Sequence, residues 1–134
     1  DDAEPLTCVL LCPPWPIPTA RAYRWAARRL TLSQRAAKMI PSQVPSDTLW
    51  GARNDFEPDI FQRFPELARM KADLLGAGAR RAGLSGSGST VFGLFRRRAA
   101  AERAAARWAG RAAVFVCRTL SRREYGRGLR LPEW

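Results

Sequence analysis

A run of glycine and serine between two apolar segments is the feature that most restricts how this chain can fold. Residues 79–84 and 90–95 are rich in small and β-favouring apolar side chains, and they predict two consecutive strands. The loop that joins them is built from Ser85, Gly86, Ser87, Gly88, Ser89 and Thr90. A tight hairpin needs only about two residues, so this loop should do more than reverse the chain.

Three familiar glycine motifs do not fit this loop. A P-loop needs a lysine directly after its last glycine, and no lysine lies nearby. The dinucleotide fingerprint and the nucleophile elbow both lead into a helix, whereas a strand is predicted to follow here. Two interpretations stay open: a nest of backbone N–H groups and hydroxyls that binds an anion, or a flexible connection between strands.

The remaining segments predict strands near both ends of the chain and helices between them. Strands are predicted over residues 6–12 and 112–120, and helices over 19–30, from Pro58, over 65–76 and over 96–108. Residues 31–46 are predicted as a loop, residues 48–53 as a short helical piece, and the basic tail from Ser121 as partly ordered. The order β, helices, β, β, α, β predicts one α+β domain over residues 1–134. Its fold should be a ferredoxin-like sandwich, with an antiparallel sheet of about four strands and helices on one face.

Composition excludes several classes of enzyme. The chain has no histidine, which removes Ser-His-Asp and Cys-His catalysis and every histidine metal site. Its three cysteines indicate reduced thiols and a cytoplasmic setting. We expect Cys8 and Cys12 to pack on one face of a strand, because a metal site would need more ligands.

The net charge of +11 could indicate a nucleic acid or an anionic ligand. All but two of the 23 basic residues are arginine, the exceptions being Lys38 and Lys71. In residues 96–108 the arginines lie opposite an alanine-rich face, as in a solvated surface helix, so we expect no nucleic-acid partner. We also expect no membrane partner, because no apolar run approaches the roughly 18 residues of a membrane span, and the acidic first residues are unlike a signal peptide.

Three short segments, in the expected order, resemble motifs of a known family. Residues 85–92, SGSGSTVF, resemble the third, C-terminal glycine-rich motif of the GHMP small-molecule kinases. Residues 54–58, NDFEP, resemble a segment of the branch that phosphorylates 4-diphosphocytidyl-2-C-methyl-D-erythritol, and residues 18–23 are similar to a strand-to-helix entry in the same proteins. The homoserine kinase branch has a comparable loop but no good match to residues 54–58. It is the alternative branch to which this chain could belong.

The resemblance implies the C-terminal domain of a two-domain kinase whose active site lies in the cleft between the domains. Such an enzyme transfers the γ-phosphoryl group of ATP, with Mg²⁺, to a hydroxyl of its acceptor in the non-mevalonate synthesis of isoprenoid precursors. The family's lysine, aspartate base and ATP loop have no match here, and neither Lys38 nor Lys71 takes the lysine's role. We therefore expect no catalytic residue, metal ligand or bound cofactor in this chain, which should be inactive alone. Its expected partners are an N-terminal kinase domain in cis and a small-molecule substrate.

Within this resemblance, the loop of residues 85–90 is expected to face the phosphate and substrate cleft. Asn54 and Asp55 are expected to cap the helix that begins near Pro58, or Asn54 reaches the cleft instead. Two non-catalytic interpretations remain. The chain could be a domain that only binds a small ligand, or it could be an RNA-binding module, because residues 92–95, FGLF, partly match the aromatic motif of such modules.

Overall fold

The computed structural model of the chain describes residues 4–34 and 53–128. Within these ranges the elements are β1 (Thr7–Cys12), α1 (Thr19–Gln34), α2 (Glu57–Arg63), α3 (Pro65–Gly76), β2 (Arg81–Leu84), β3 (Val91–Phe95), α4 (Arg98–Ala106), β4 (Ala113–Arg118) and α5 (Arg122–Gly128). None of the helices in this part of the chain is long and apolar enough to cross a membrane.

The four strands form one antiparallel sheet in the order β2-β3-β1-β4. The first strand thus lies between the third and the fourth, and β2 and β4 are the edges. Helix α3 packs on β2 and β3, and α4 packs on β1, β3 and β4. The predicted ferredoxin-like α+β sandwich is confirmed.

The hydrophobic core follows from alternation along the strands. In β1 the side chains of Val9 and Leu11 are fully buried, whereas Cys8 and Leu10 on the other face are only partly buried. Strand β3 and the helices contribute most of the rest of the core. Its largest fully buried side chains are Val9, Leu11, Ile60, Leu67, Met70, Leu74, Val91, Phe95 and Trp108. This core fixes the sheet and α3 against each other, and so positions the loop between β2 and β3.

Several element boundaries differ from those predicted. Helix α1 continues to Gln34, beyond the end predicted near residue 30, because residues 31–34 include neither proline nor glycine to stop it. Helix α4 is shorter than predicted, since Arg97 is already extended at its N-cap and Arg107 is its C-cap. The rest of the predicted loop, and residues 48–52 of the predicted helical piece, lie outside the described residues.

The basic tail contains a short helix that the sequence analysis did not predict. The hydroxyl of Ser121 accepts a hydrogen bond from the Glu124 amide (3.1 Å), and the Glu124 carboxylate accepts one from the Ser121 amide (2.9 Å). This is a capping box, whose signature is serine followed three residues later by glutamate. Arg118 also donates to Glu124 (2.6 Å), and this bond, together with those from Ser121, lowers the pKa of Glu124 to about 2.

Candidate functional site

The loop of residues 85–90, here called the glycine loop, has a defined conformation. The Ser85 amide donates to the Thr90 carbonyl (2.8 Å), and the Gly88 amide donates back to the Ser85 carbonyl (3.0 Å). Gly86 and Gly88 have φ angles of +57° and +87°, in the left-handed region that costs other residues free energy. The glycines are therefore needed for the shape of the loop.

Hydroxyl groups of the glycine loop attach it to the end of β1, the start of α1 and the segment between them. Ser89 donates to the Trp15 carbonyl (2.8 Å), and the Ser87 and Thr19 hydroxyls lie 3.3 Å apart. Thr90 donates to the sulfur of Cys12 at 3.5 Å. These contacts use three of the loop hydroxyls for anchoring, which leaves the backbone amides and the exposed Ser85 hydroxyl to meet a ligand.

Four amides of the glycine loop are available for that purpose. Among residues 4–34 and 53–128, the N–H groups of Gly86, Ser87, Ser89 and Thr90 have no hydrogen-bond partner. The contact between Ser87 and Thr19 also places the loop beside the N-terminus of α1, whose first turn carries no acidic residue. Free amides and the positive end of a helix dipole both favour an anion.

Asn54 connects the NDFEP segment to the glycine loop. Its side-chain amide donates to the carbonyl oxygens of Leu84 and Gly86, each at 2.8 Å. Its side-chain oxygen accepts from the Phe56 amide (2.9 Å), and Phe56 is the N-cap of α2 without any side-chain capping bond. We expected Asn54 and Asp55 to cap α2, but neither side chain forms a capping bond to this helix. Asn54 binds the glycine loop instead, and Asp55 is exposed.

Glu57 completes this connection, a role that the sequence analysis missed. One carboxylate oxygen accepts from the Leu84 amide (2.9 Å), and the other pairs with the ammonium of Lys71 (2.6 Å). A hydrogen bond to a charged group contributes about 1.5–3 kcal/mol. Together, Asn54 and Glu57 bind both backbone polar groups of Leu84, the last residue of edge strand β2. The sequence signal for this role is the NDFEP segment itself.

A cavity of about 600 Å³ opens beside the glycine loop. Its border includes Gly86 and Asn54, the aromatic residues Tyr23 and Phe56, and two arginines, Arg53 and Arg81. The Tyr23 ring is 61% exposed and stands edge-on to the Phe56 ring, with centroids 5.0 Å apart. The loop therefore borders a space with aromatic side chains, two arginines and one carboxylate, that of Asp55.

The described residues contain no assembled catalytic or metal centre. No group of three or more Cys, Asp or Glu side chains in this part of the chain could hold a metal ion. Lys71 is paired with Glu57, and Lys38 lies outside the described residues. Burial and the neighbouring Cys117 thiol raise the pKa of Cys8 to about 11, so Cys8 packs as a neutral thiol.

Comparison with known proteins identifies the family. The family described as GHMP kinases C terminal matches residues 46–113, half of the chain. The chain belongs to the GHMP kinase C-terminal family. The predicted membership of the GHMP kinases is thereby confirmed.

Curated relatives of this GHMP kinase domain share the name 4-diphosphocytidyl-2-C-methyl-D-erythritol kinase. The protein from Methylobacterium radiotolerans is 43% identical over 111 residues, which cover 77% of this chain and 38% of the relative. The protein from Solibacter usitatus is 44% identical over 103 residues, which cover 72% of this chain and 33% of the relative. The chain thus spans about a third of the length of these relatives.

Solved structures of two GHMP kinases share the fold. A crystal structure of 4-(cytidine 5'-diphospho)-2C-methyl-D-erythritol kinase matches 86% of this chain and 43% of its own, with a TM-score of 0.62 and 24% identity. Homoserine kinase from Cytophaga hutchinsonii matches 87% of this chain and 42% of its own, with a TM-score of 0.55 and 18% identity.

Proposed function

We propose that this chain is the C-terminal domain of an ATP-dependent kinase that phosphorylates a hydroxyl of 4-diphosphocytidyl-2-C-methyl-D-erythritol. The names of relatives at 43% and 44% identity support this substrate. An N-terminal kinase domain in cis supplies the lysine, the base and the ATP loop. The product serves isoprenoid precursor synthesis, and the three free cysteines are compatible with a reducing cytoplasm.

The glycine loop is the observation that carries this proposal. The amides of Gly86, Ser87 and Ser89 are free, and the Ser87 hydroxyl contacts Thr19 at the N-terminus of α1. Free amides and helix N-termini both bind phosphate oxygens. ATP supplies the phosphoryl group when it is bound. The loop's part is to hold phosphate oxygens and to stabilise the negative charge that they carry during transfer.

The cavity next to the loop suits the acceptor named for the relatives. That molecule carries a cytosine base and a diphosphate, and the border of the cavity includes the exposed Tyr23 and the arginine Arg53, besides Arg81 and Asp55. An aromatic ring stacks on a flat base, and arginine binds phosphate through paired N–H donors. Homoserine has neither a base nor a phosphate, so this border favours the cytidine-containing acceptor over the homoserine alternative.

This chain binds and orients but does not complete the chemistry. No described acidic cluster could hold Mg²⁺, and the Glu57 carboxylate is already engaged by Leu84 and Lys71. General-base catalysis alone typically contributes about 10²–10⁴-fold, so the isolated chain should have no measurable kinase activity.

The direct test is a chimera in which the N-terminal region of the Methylobacterium radiotolerans relative precedes this chain. We expect the chimera to phosphorylate 4-diphosphocytidyl-2-C-methyl-D-erythritol with ATP and Mg²⁺, and the 134-residue chain alone to do nothing. Homoserine serves as the competing acceptor. A folded chimera that phosphorylates homoserine, or neither acceptor, would contradict the proposal.

The arginine-rich surface is explained in this proposal without a nucleic-acid partner. On α4 the buried residues are Ala101, Ala104 and Ala105, while Arg98 and Arg103 are exposed, and Arg98 pairs with Glu102 at 2.7 Å. A filter-binding titration with single-stranded RNA tests this point. Salt-sensitive affinity would indicate RNA binding, because phosphate contacts release counterions.

A further inference from the structure

We propose that Glu57, together with Asn54 and Gly83, is a positioning device that holds the glycine loop in its phosphate-facing conformation. The proposal rests on the function proposed above and adds three residues to it. None of them contacts the reacting atoms in this account. They act through Leu84, the residue from which the loop departs.

Leu84 is held from three sides. Its amide donates to Glu57 at 2.9 Å, its carbonyl accepts from Asn54 at 2.8 Å, and its side chain is 2% exposed in the core. In an edge strand, alternate backbone groups point away from the sheet and need other partners. Here the side chains of Asn54, just before α2, and of Glu57, the first residue of α2, provide them, which fixes the peptide that leads into Ser85.

Asn54 extends the same constraint into the loop. Its amide nitrogen also donates to the Gly86 carbonyl at 2.8 Å. One side chain therefore spans the first turn of the glycine loop, where two of the free amides, those of Gly86 and Ser87, are found. A displacement of Asn54 or Leu84 would reorient those amides.

Position 83 requires glycine because there is no room for a Cβ atom, and not because of its backbone φ angle. A Cβ atom there would lie 2.8 Å from the Glu57 oxygen that binds Leu84, and 3.4 Å from the Phe92 ring. By contrast, a Cβ at Gly76 would meet nothing within 4 Å. Substitution of Gly83 by alanine should thus push Glu57 off Leu84, as if Glu57 itself had been removed.

Lys71 keeps the Glu57 carboxylate in place. Its ammonium lies 2.6 Å from the second oxygen of Glu57 and 5.6 Å from the centre of the Phe61 ring. Both Glu57 oxygens are consequently occupied, and the Glu57 side chain is only 17% exposed. A carboxylate so engaged is a fixed anchor and not a proton acceptor for the substrate.

The test compares Glu57→Ala, Glu57→Gln and Gly83→Ala, with Gly76→Ala as the matched glycine control. In the 134-residue chain, hydrogen exchange of the Leu84 amide and of the glycine loop should become about tenfold faster in Glu57→Ala and Gly83→Ala. Glu57→Gln retains an oxygen acceptor for the Leu84 amide, so it should keep most of the protection. Gly76→Ala should exchange like the wild type.

The second readout is the kinetics of the chimera. We expect Glu57→Ala and Gly83→Ala to lower kcat by up to about 10²-fold, as misplaced groups do, with little change in KM, and Glu57→Gln to restore most of the rate. Ile60→Val, a core substitution that leaves these contacts intact, controls for lost stability and should keep its kcat.

Unchanged loop exchange in both Glu57→Ala and Gly83→Ala would overturn the positioning role, as would a kcat loss matched by Ile60→Val at equal folded fraction. The exchange measurement needs no kinase activity. An inactive chimera with altered loop exchange would therefore refute the proposed kinase function while leaving the loop constraint standing.

Discussion

Asn54 and Gly86, 32 residues apart in the chain, are joined by a 2.8 Å hydrogen bond from a side-chain amide to a backbone carbonyl. The same amide binds the Leu84 carbonyl. Asn54→Asp would keep the acceptor used by the Phe56 amide but would place a carboxylate oxygen against two carbonyl oxygens. We expect this variant to lose about 1–3 kcal/mol of unfolding free energy, measured by urea denaturation of the chain.

Asp55→Asn is the control for that substitution. Asp55 is the neighbouring residue and is exposed, and no side-chain bond of Asp55 is present among residues 4–34 and 53–128. We expect its effect on stability to stay within about 0.5 kcal/mol. Equal unfolding free energies of Asn54→Asp and Asp55→Asn would show that the hydrogen bonds from Asn54 to the loop do not contribute to stability.

Leu74 and Leu75 are consecutive in α3 but differ completely in their surroundings. Leu74 is fully buried against the sheet, whereas Leu75 is 43% exposed. Leu74→Ala should cost about 2–5 kcal/mol through lost burial and the cavity left behind. Leu75→Ala should cost much less, because alanine favours the helix and little apolar surface is lost. Thermal unfolding of both variants measures the difference, and a similar cost for the two would contradict the packing of α3.

Much of this fold could be predicted from local patterns, because strands and helices here follow apolar periodicity. Residues 8–12 alternate in burial as a strand does, and Pro58 and Pro65 mark the starts of α2 and α3. The small helix α5 could have been predicted as well, since Ser121 and Glu124 have capping-box spacing.

The function of the NDFEP segment could not be read from spacing. Asn54 and Glu57 bind Leu84 across about thirty residues of chain, and no local rule specifies which backbone group a distant side chain will meet. Gly83 illustrates the same limit. In sequence it is one more small residue before the loop, and only the approach of Glu57 shows why a Cβ atom is excluded there.

Glu124 provides a prediction about pH. Its pKa is lowered from 4.5 to about 2 in the folded chain, first by the bond from Arg118 and then by those from Ser121. Because the folded-state pKa is the lower one, its stabilising contribution is fully present above pH 4.5 and is lost as pH falls towards 2. The titration of the Glu124 side chain by NMR should report this low value.

Glu124→Gln should remove that part of the pH dependence of stability and weaken the cap of α5. The exposed Glu102, paired with Arg98 at 2.7 Å, offers a control in Glu102→Gln, for which no change of the α5 cap is expected. A Glu124 carboxyl that titrates near 4.5 would mean that the bonds to Arg118 and Ser121 are not maintained in solution.

The turnover of a chimera that carries Gly86→Val tests whether the glycine loop takes part in phosphoryl transfer. Gly86 has a φ angle of +57° and a Cβ there would meet nothing within 4 Å, so valine strains the backbone of the loop without clashing with the core. If the loop amides bind phosphate during transfer, kcat should fall by about 10²-fold while the protein remains folded. Gly76→Val should retain its rate. Undiminished kcat in a folded Gly86→Val chimera would contradict the claim that this loop takes part in phosphoryl transfer.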